Sequence, residues 1–118
     1  CKTSRTLLEV SKNVDQIAKL FKDEKRFRFL AVTIPEAMAI RETERLLVQL
    51  KEFGISCKNL IVNMVLPKGL ECSFCSKKYT EQQTYLQEIG KQFRTYHPSE
   101  LNQLVQEIRG LEFLKRLT

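Results

Sequence analysis

Two cysteines three positions apart, Cys72 and Cys75 in the stretch "ECSFCSKKY", are the side chains of this sequence best suited to chemistry. Such a pair can bind a metal or run a thiol redox cycle. A structural zinc needs four soft ligands, and the other candidates, Cys1, Cys57 and His97, stand at no recognisable zinc spacing. Two copies of the pair, related by a two-fold axis, would supply four thiolates across a dimer. Spacing alone leaves the metal and redox interpretations open.

Two polar residues, Glu36 and Asn63, stand at the ends of apolar stretches that are predicted strands. Parallel β-α-β units commonly bind ligands outside the carboxyl ends of their strands, which makes both residues candidate ligand contacts. The alternative is local, with Glu36 capping a helix and Asn63 satisfying nearby backbone groups. Spacing by itself favours the local alternative.

Other catalytic patterns are missing from the sequence. The four glycines are isolated, and neither of the common glycine-rich phosphate-binding patterns occurs. With His97 as the one histidine, no Ser/His/Asp triad can be built, and Cys-His catalysis using Cys57 or Cys75 is a minor alternative. We therefore predict no catalytic residue within this chain.

The elements that would position these residues follow from hydrophobic spacing. Apolar residues at three- and four-residue steps predict a helix over residues 5–22. "FRFLAVTI", residues 27–34, predicts a strand covered on both faces, and "LIVNMVL", residues 60–66, predicts another. Between them, a helix is expected from Pro35 to Gly54. Together these form a β-α-β unit with parallel strands and a right-handed crossover.

The apolar stripes of the helices identify the side chains expected to be buried. In the first helix these are Leu7, Val10, Val14, Ile17 and Phe21, in the second Ile40, Leu46, Leu47, Leu50 and Phe53, and in a third, starting near the cysteines, Gln82, Leu86, Ile89 and Phe93. Residues 101–118 also have helical spacing, interrupted at Gly110. The fold class is therefore α/β, with a partial parallel sheet of two to three strands and flanking helices.

Bulk properties limit the class of protein. The 118 residues fit one small domain, with no run of about 18 apolar residues and no secretory leader, so we expect a cytoplasmic chain without a transmembrane segment. The net charge is +6, but the basic residues are spread out, which favours a solvated surface over a nucleic-acid footprint. The first residue is Cys1 and not methionine, which leads us to expect a fragment of a longer protein.

A series of motifs, taken in order, resembles the C-terminal part of the ArsA-type ATPases. The motifs are "TIPEAMAIRETERLLVQLKEFGI", "NLIVNMVLP", "CSFCSKKYTEQQTYLQEI" and "EIRGLEFL". The family includes the arsenite-pump ATPase and the ATPase that targets tail-anchored membrane proteins. The resemblance runs from about residue 27 to the end, and residues 1–118 would be one C-terminal portion of a P-loop NTPase domain.

This resemblance implies roles for particular residues. Asn63 would contact the adenine of ATP, bound with Mg, and Glu36 would lie near the nucleotide and the dimer face. The loop before "EIRG" would line the adenine pocket, although this chain lacks the proline that family members usually carry there. Cys72 and Cys75 would bind zinc between two subunits of a homodimer. The phosphate-binding loop and the switch regions would lie upstream of Cys1.

Three functions remain as expectations. The CxxC pair favours the branch that targets tail-anchored membrane proteins, with a membrane-protein segment as substrate. The alternative within the family is an arsenite- or antimonite-transporting ATPase that works with a membrane pump subunit. An alternative of another class is a small zinc-bridged dimeric binding module without catalysis. The unpaired edges of a sheet this small favour a larger protein over such a module.

Overall fold

The structure, a computed structural model, describes residues 2–69 and 71–116. Its helices are α1 (Lys2–Lys22), α2 (Ala37–Glu52), α3 (Ser73–Gln92) and α4 (Gly110–Lys115), and its strands are β1 (Phe29–Thr33), β2 (Cys57–Val65) and β3 (Ser99–Asn102). A single turn of 3-10 helix, Arg94–Tyr96, follows α3. The strands form one sheet in the order β1-β2-β3, and both neighbouring pairs are parallel. The predicted α/β fold with a partial parallel sheet is confirmed.

The helix between the first two strands buries one narrow stripe. Its buried residues are Ile40, Thr43, Leu47 and Leu50. Steps of three and four residues keep these side chains on one face of a helix with 3.6 residues per turn. The prediction of Leu46 and Phe53 in this stripe is wrong, because Leu46 lies at the margin of the buried face and is 36% exposed, and Phe53 follows the last helical residue and is 66% exposed. Pro35 is buried but lies two residues before α2, not in its first turn.

All the buried side chains of the sheet lie on one face. Ala31 and Thr33 of β1 and Leu60 and Val62 of β2 point towards the core. The core consists of Ala31, Ile40, Leu47, Leu50, Leu60, Val62, Val65, Ile89 and Phe93. Because α2 and α3 both contribute to this one cluster, they pack on the same face of the sheet. On the other face Leu30 and Val32 are 51% and 56% exposed, so the expectation that both faces of β1 are covered is wrong for this chain.

The C-terminal segment differs from the helix predicted over residues 101–118. Residues 99–102 form β3, residues 103–109 form a loop, and α4 begins at Gly110. Glu100 pairs with Val62, which means that β3 completes the open edge of the central strand. The pairing of β3 with β2 outweighs the helical spacing of a short segment, as tertiary contacts commonly do. The predicted positions Leu117 and Thr118 lie outside the described residues.

The first helix is confirmed, but its apolar stripe is not covered. None of its residues is buried, and its stripe remains exposed from Leu7 to Phe21. Phe21 contacts Phe27, with ring centroids 4.6 Å apart. Within residues 2–69 and 71–116, no helix combines the length and the hydropathy needed to span a bilayer.

Candidate functional site

The three strands end at one edge of the sheet. Thr33 pairs with Val62, and Val62 pairs with Glu100, so residues 34, 63 and 101 stand side by side. We call residues 34–36, 63–66 and 103 the carboxyl edge. Because parallel strands place their carboxyl ends together, this edge gathers Glu36 and Asn63, as the sequence predicts.

Asn63 is exposed at the centre of this edge. Its Oδ1 accepts a hydrogen bond from the backbone N–H of Met64 at 2.8 Å, so the local contact expected as an alternative is present. An amide oxygen has two lone pairs, and an amide nitrogen has two hydrogens. Asn63 therefore keeps one acceptor position on Oδ1, and its Nδ2 has no partner among the described residues.

The central strand is irregular immediately after Asn63. Val62 pairs with Glu100 and Val65 with Asn102, so three steps along β2 match two steps along β3. Met64 has a φ of 58°, in the left-handed region that residues other than glycine rarely adopt. This β-bulge returns Val65 to the core, where it is 3% exposed, and leaves Met64 on the surface.

The buried amide of Gln82 holds this bulge. Its Nε2 donates to the carbonyl oxygen of Met64 at 3.0 Å, and its Oε1 accepts from the backbone N–H of Leu66 at 2.7 Å. The side chain is 7% exposed and lies on the inner face of α3. Sequence spacing correctly predicts Gln82 in the buried stripe but not its partners. The available signal was an amide in a stripe that is otherwise apolar.

Glu36 occupies the N-cap position of α2 without capping it through its side chain. Its backbone carbonyl accepts from the N–H of Ile40 at 3.0 Å, whereas its carboxylate accepts no hydrogen bond from the helix. The local role expected as an alternative is thus filled by the backbone alone. The exposed carboxylate stands at the carboxyl edge with its oxygens open to a ligand.

A buried pair of hydroxyls joins the end of β1 to α2. The oxygens of Thr33 and Thr43 lie 2.8 Å apart, and Thr43 Oγ1 is 2.7 Å from the carbonyl oxygen of Ala39. Both threonines are buried, so these contacts satisfy groups that water cannot reach. The pair fixes the start of α2, and hence Glu36, relative to the sheet. Sequence reasoning missed Thr43, whose helical phase with Ile40 and Leu47 could have identified it.

The loop of residues 103–109 starts at the carboxyl edge. The N–H of Gln103 donates to the carbonyl oxygen of Val65 at 2.7 Å, which fixes the first residue of the loop against the bulged strand. The segment that precedes "EIRG" is therefore a loop that begins beside the bulged end of β2, in agreement with the family resemblance and not with the helical spacing.

The cysteine pair lies at the N-terminal end of α3. Cys72 is the N-cap residue and Cys75 is in the first turn. The backbone N–H of Cys75, followed by the Cys75 thiol, stabilises the thiolate of Cys72 and lowers the pKa of that thiol. The hydrogen bond to Cys72 is the main cause that raises the pKa of the Cys75 thiol, with its desolvation second. The two thiols therefore interact, and the thiolate form is favoured at Cys72 over Cys75.

Among the described residues, the other candidate metal ligands do not form a metal-binding group with Cys72 and Cys75. Cys57, Cys72 and Cys75 are free thiols, but the described residues contain no group of three or more His, Cys, Asp or Glu side chains that could hold a metal. Cys57 begins β2 and His97 follows the 3-10 turn. Cys1 lies outside the described residues. The donor set present is thus two convergent thiols, which fits half of a four-thiolate site.

Comparison with known proteins identifies the family. The family model described as anion-transporting ATPase, ArsA ATPase, matches residues 2–118. "ATPase GET3" of Chaetomium globosum is 34% identical over 107 residues, which cover 89% of this chain and 32% of that protein. "ATPase ASNA1 homolog" of Dictyostelium discoideum is 35% identical over 104 residues, covering 88% and 32%. A Trypanosoma cruzi protein of the same description is 32% identical over 107 residues, covering 88% and 30%.

The chain spans about a third of the length of the curated relatives it matches. The match extends over nearly all of the chain, from α1 through the carboxyl edge and the cysteine pair to α4. The ordered motifs and the parallel sheet agree with this relationship. The chain belongs to the ArsA family of anion-transporting ATPases.

Proposed function

We propose that this chain is the C-terminal part of an ATPase that couples ATP binding and hydrolysis to the targeting of tail-anchored membrane proteins. The observation that carries the proposal is the match to ATPases of the GET3 and ASNA1 type, which extends over the carboxyl edge and the cysteine pair. The "CSFCSKKY" motif supports the targeting branch. The membrane-protein substrate would be an apolar helix held elsewhere in the intact protein.

The carboxyl edge contributes the base-binding side of the nucleotide site in this proposal. The free positions of Asn63, two N–H groups on Nδ2 and one lone pair on Oδ1, can bind the donor and acceptor atoms of an adenine edge. The loop of residues 103–109 would cover the base, and Glu36 would face the nucleotide or the neighbouring subunit. Mg would accompany the phosphates, which bind outside this chain because it has no phosphate-binding loop.

The cysteine pair is proposed to form half of a zinc site. Cys72 and Cys75 converge on the first turn of α3, and the Cys72 thiolate is favoured, as a soft metal ligand requires. Two pairs related by a two-fold axis give the four thiolates that a structural zinc prefers, and the metal would join the subunits. The redox alternative would need no second subunit.

A second candidate is arsenite or antimonite transport, which is supported by the family's description as anion-transporting ATPases. Both functions use ATP, so nucleotide hydrolysis does not distinguish them. We expect the intact protein to bind the membrane segment of a tail-anchored protein in an ATP-dependent way, measured by cross-linking to a photoreactive segment. Its ATPase rate should be unaffected by arsenite. Arsenite-stimulated hydrolysis without segment binding would favour transport instead.

The role of Asn63 is tested by Asn63→Ala in the intact protein. We expect ADP to bind about tenfold more weakly, because one or two hydrogen bonds to the base are lost. Isothermal titration calorimetry measures this affinity. The control is Asn59→Ala, the same change four residues earlier on the same strand, at the exposed far end from the carboxyl edge. Equal ADP affinity in the two variants would contradict the assignment of Asn63.

The shared zinc site is tested by replacing both Cys72 and Cys75 with serine. We expect the intact wild-type protein to contain one zinc per two chains, and the double variant to lose both the zinc and the dimer. Elemental analysis combined with light scattering measures both quantities. Cys57→Ser is the matched control, since this half-buried thiol belongs to β2 and not to the pair. A double variant that keeps its zinc would refute the site.

A further inference from the structure

We infer that Gln82 is a positioning residue for the nucleotide, since it holds the backbone around Met64 in the conformation that presents Asn63 to the base. The inference rests on the proposed base contact of Asn63. Gln82 is itself buried behind the strand, so it would act on the ligand only through the carboxyl edge.

The chemistry of Gln82 points to a backbone role. A buried amide is costly unless both its ends are hydrogen-bonded, whereas a leucine or methionine would fill the same core position without that requirement. Here the amide bonds two backbone groups, the Met64 carbonyl and the Leu66 N–H, at 3.0 and 2.7 Å. Those groups are 18 and 16 residues away in the sequence, so the amide joins α3 to the end of β2.

The two groups that Gln82 binds lie on the C-terminal side of the irregularity that follows Asn63 in β2. The φ of Met64 is 58°, which its side chain disfavours, and nothing in the residue type stabilises that conformation. Gln82 fixes the peptide unit after Met64 and the next one, at Leu66. On the other side, the N–H of Met64 donates to Asn63 Oδ1. Thus the peptide units on both sides of Met64 are held by an amide side chain.

The orientation of Asn63 depends on this arrangement. Without the bulge, the alternation of β2 would direct Met64 into the core beside Leu60 and Val62, and Val65 would turn outwards. The N–H of Met64 would then leave the position in which it binds Asn63 Oδ1, and the amide of Asn63 would be free to rotate. A fixed Asn63 amide presents its remaining donor and acceptor positions without losing side-chain entropy on binding.

The test compares Gln82→Met with Gln87→Met in the intact protein. Methionine has nearly the volume of glutamine but no amide, and Gln87 is an exposed glutamine on the same helix. We expect Gln82→Met to weaken ADP binding about tenfold, a loss similar to that from Asn63→Ala, and Gln87→Met to bind as wild type. If circular dichroism shows that the Gln82→Met protein is not folded, Gln82→Glu takes its place, since it retains an acceptor for the Leu66 N–H.

A glycine at position 64 separates positioning from general stability. Glycine adopts a φ near 58° without strain. In a Met64→Gly protein, the fold loss of ADP affinity caused by the Gln82 substitution should therefore be less than half of the loss that it causes in the wild-type protein. An equal loss in both backgrounds would overturn the positioning role. Wild-type ADP affinity in the Gln82 variants, with Asn63→Ala still impaired, would also overturn it while leaving the nucleotide site intact. If Asn63→Ala binds normally as well, the proposed function itself fails.

Discussion

The conformation of the carboxyl edge depends on the amide of Gln82 and its two hydrogen bonds to the end of β2. The core brings α3 against the sheet through Ile89 and Phe93, but apolar packing does not define the path of a bulged strand. A buried amide does, because its donor and its acceptor must each meet a backbone group at a set distance and angle. The same helix begins at the cysteine pair, so one rigid element connects both candidate sites.

The sheet is covered on one face only, which explains much of the surface of this chain. Both helices that contribute to the core share one cluster with Leu60 and Val62, and the opposite face exposes Leu30 and Val32. The stripe of α1, from Leu7 to Phe21, is also exposed. Unpaired apolar surfaces of this kind usually mark contacts with other protein segments. They agree with a chain that spans about a third of the length of its relatives.

The sequence predicts the parallel β-α-β unit and the helix after the cysteines, because long stripes such as Ile40, Leu47 and Leu50 have a clear period. It misplaces Leu46 and Phe53, where an apolar residue lies just outside the buried face. It also predicts a helix where β3 forms, since four residues cannot show that they pair with β2. At the site, Glu36, Asn63 and the cysteines are identifiable from their positions, whereas the left-handed Met64 is not, because methionine has no preference for that conformation.

We infer that Gln82 acts on the nucleotide through Asn63, and a double-mutant cycle tests this coupling most directly. The ADP affinity of the intact protein would be measured for Asn63→Ala, for Gln82→Met and for the two changes combined. If Gln82 works by orienting Asn63, the combined variant should bind ADP no more weakly than Asn63→Ala alone. A combined loss equal to the product of the two single fold-changes would contradict the account, because independent contributions multiply in this way.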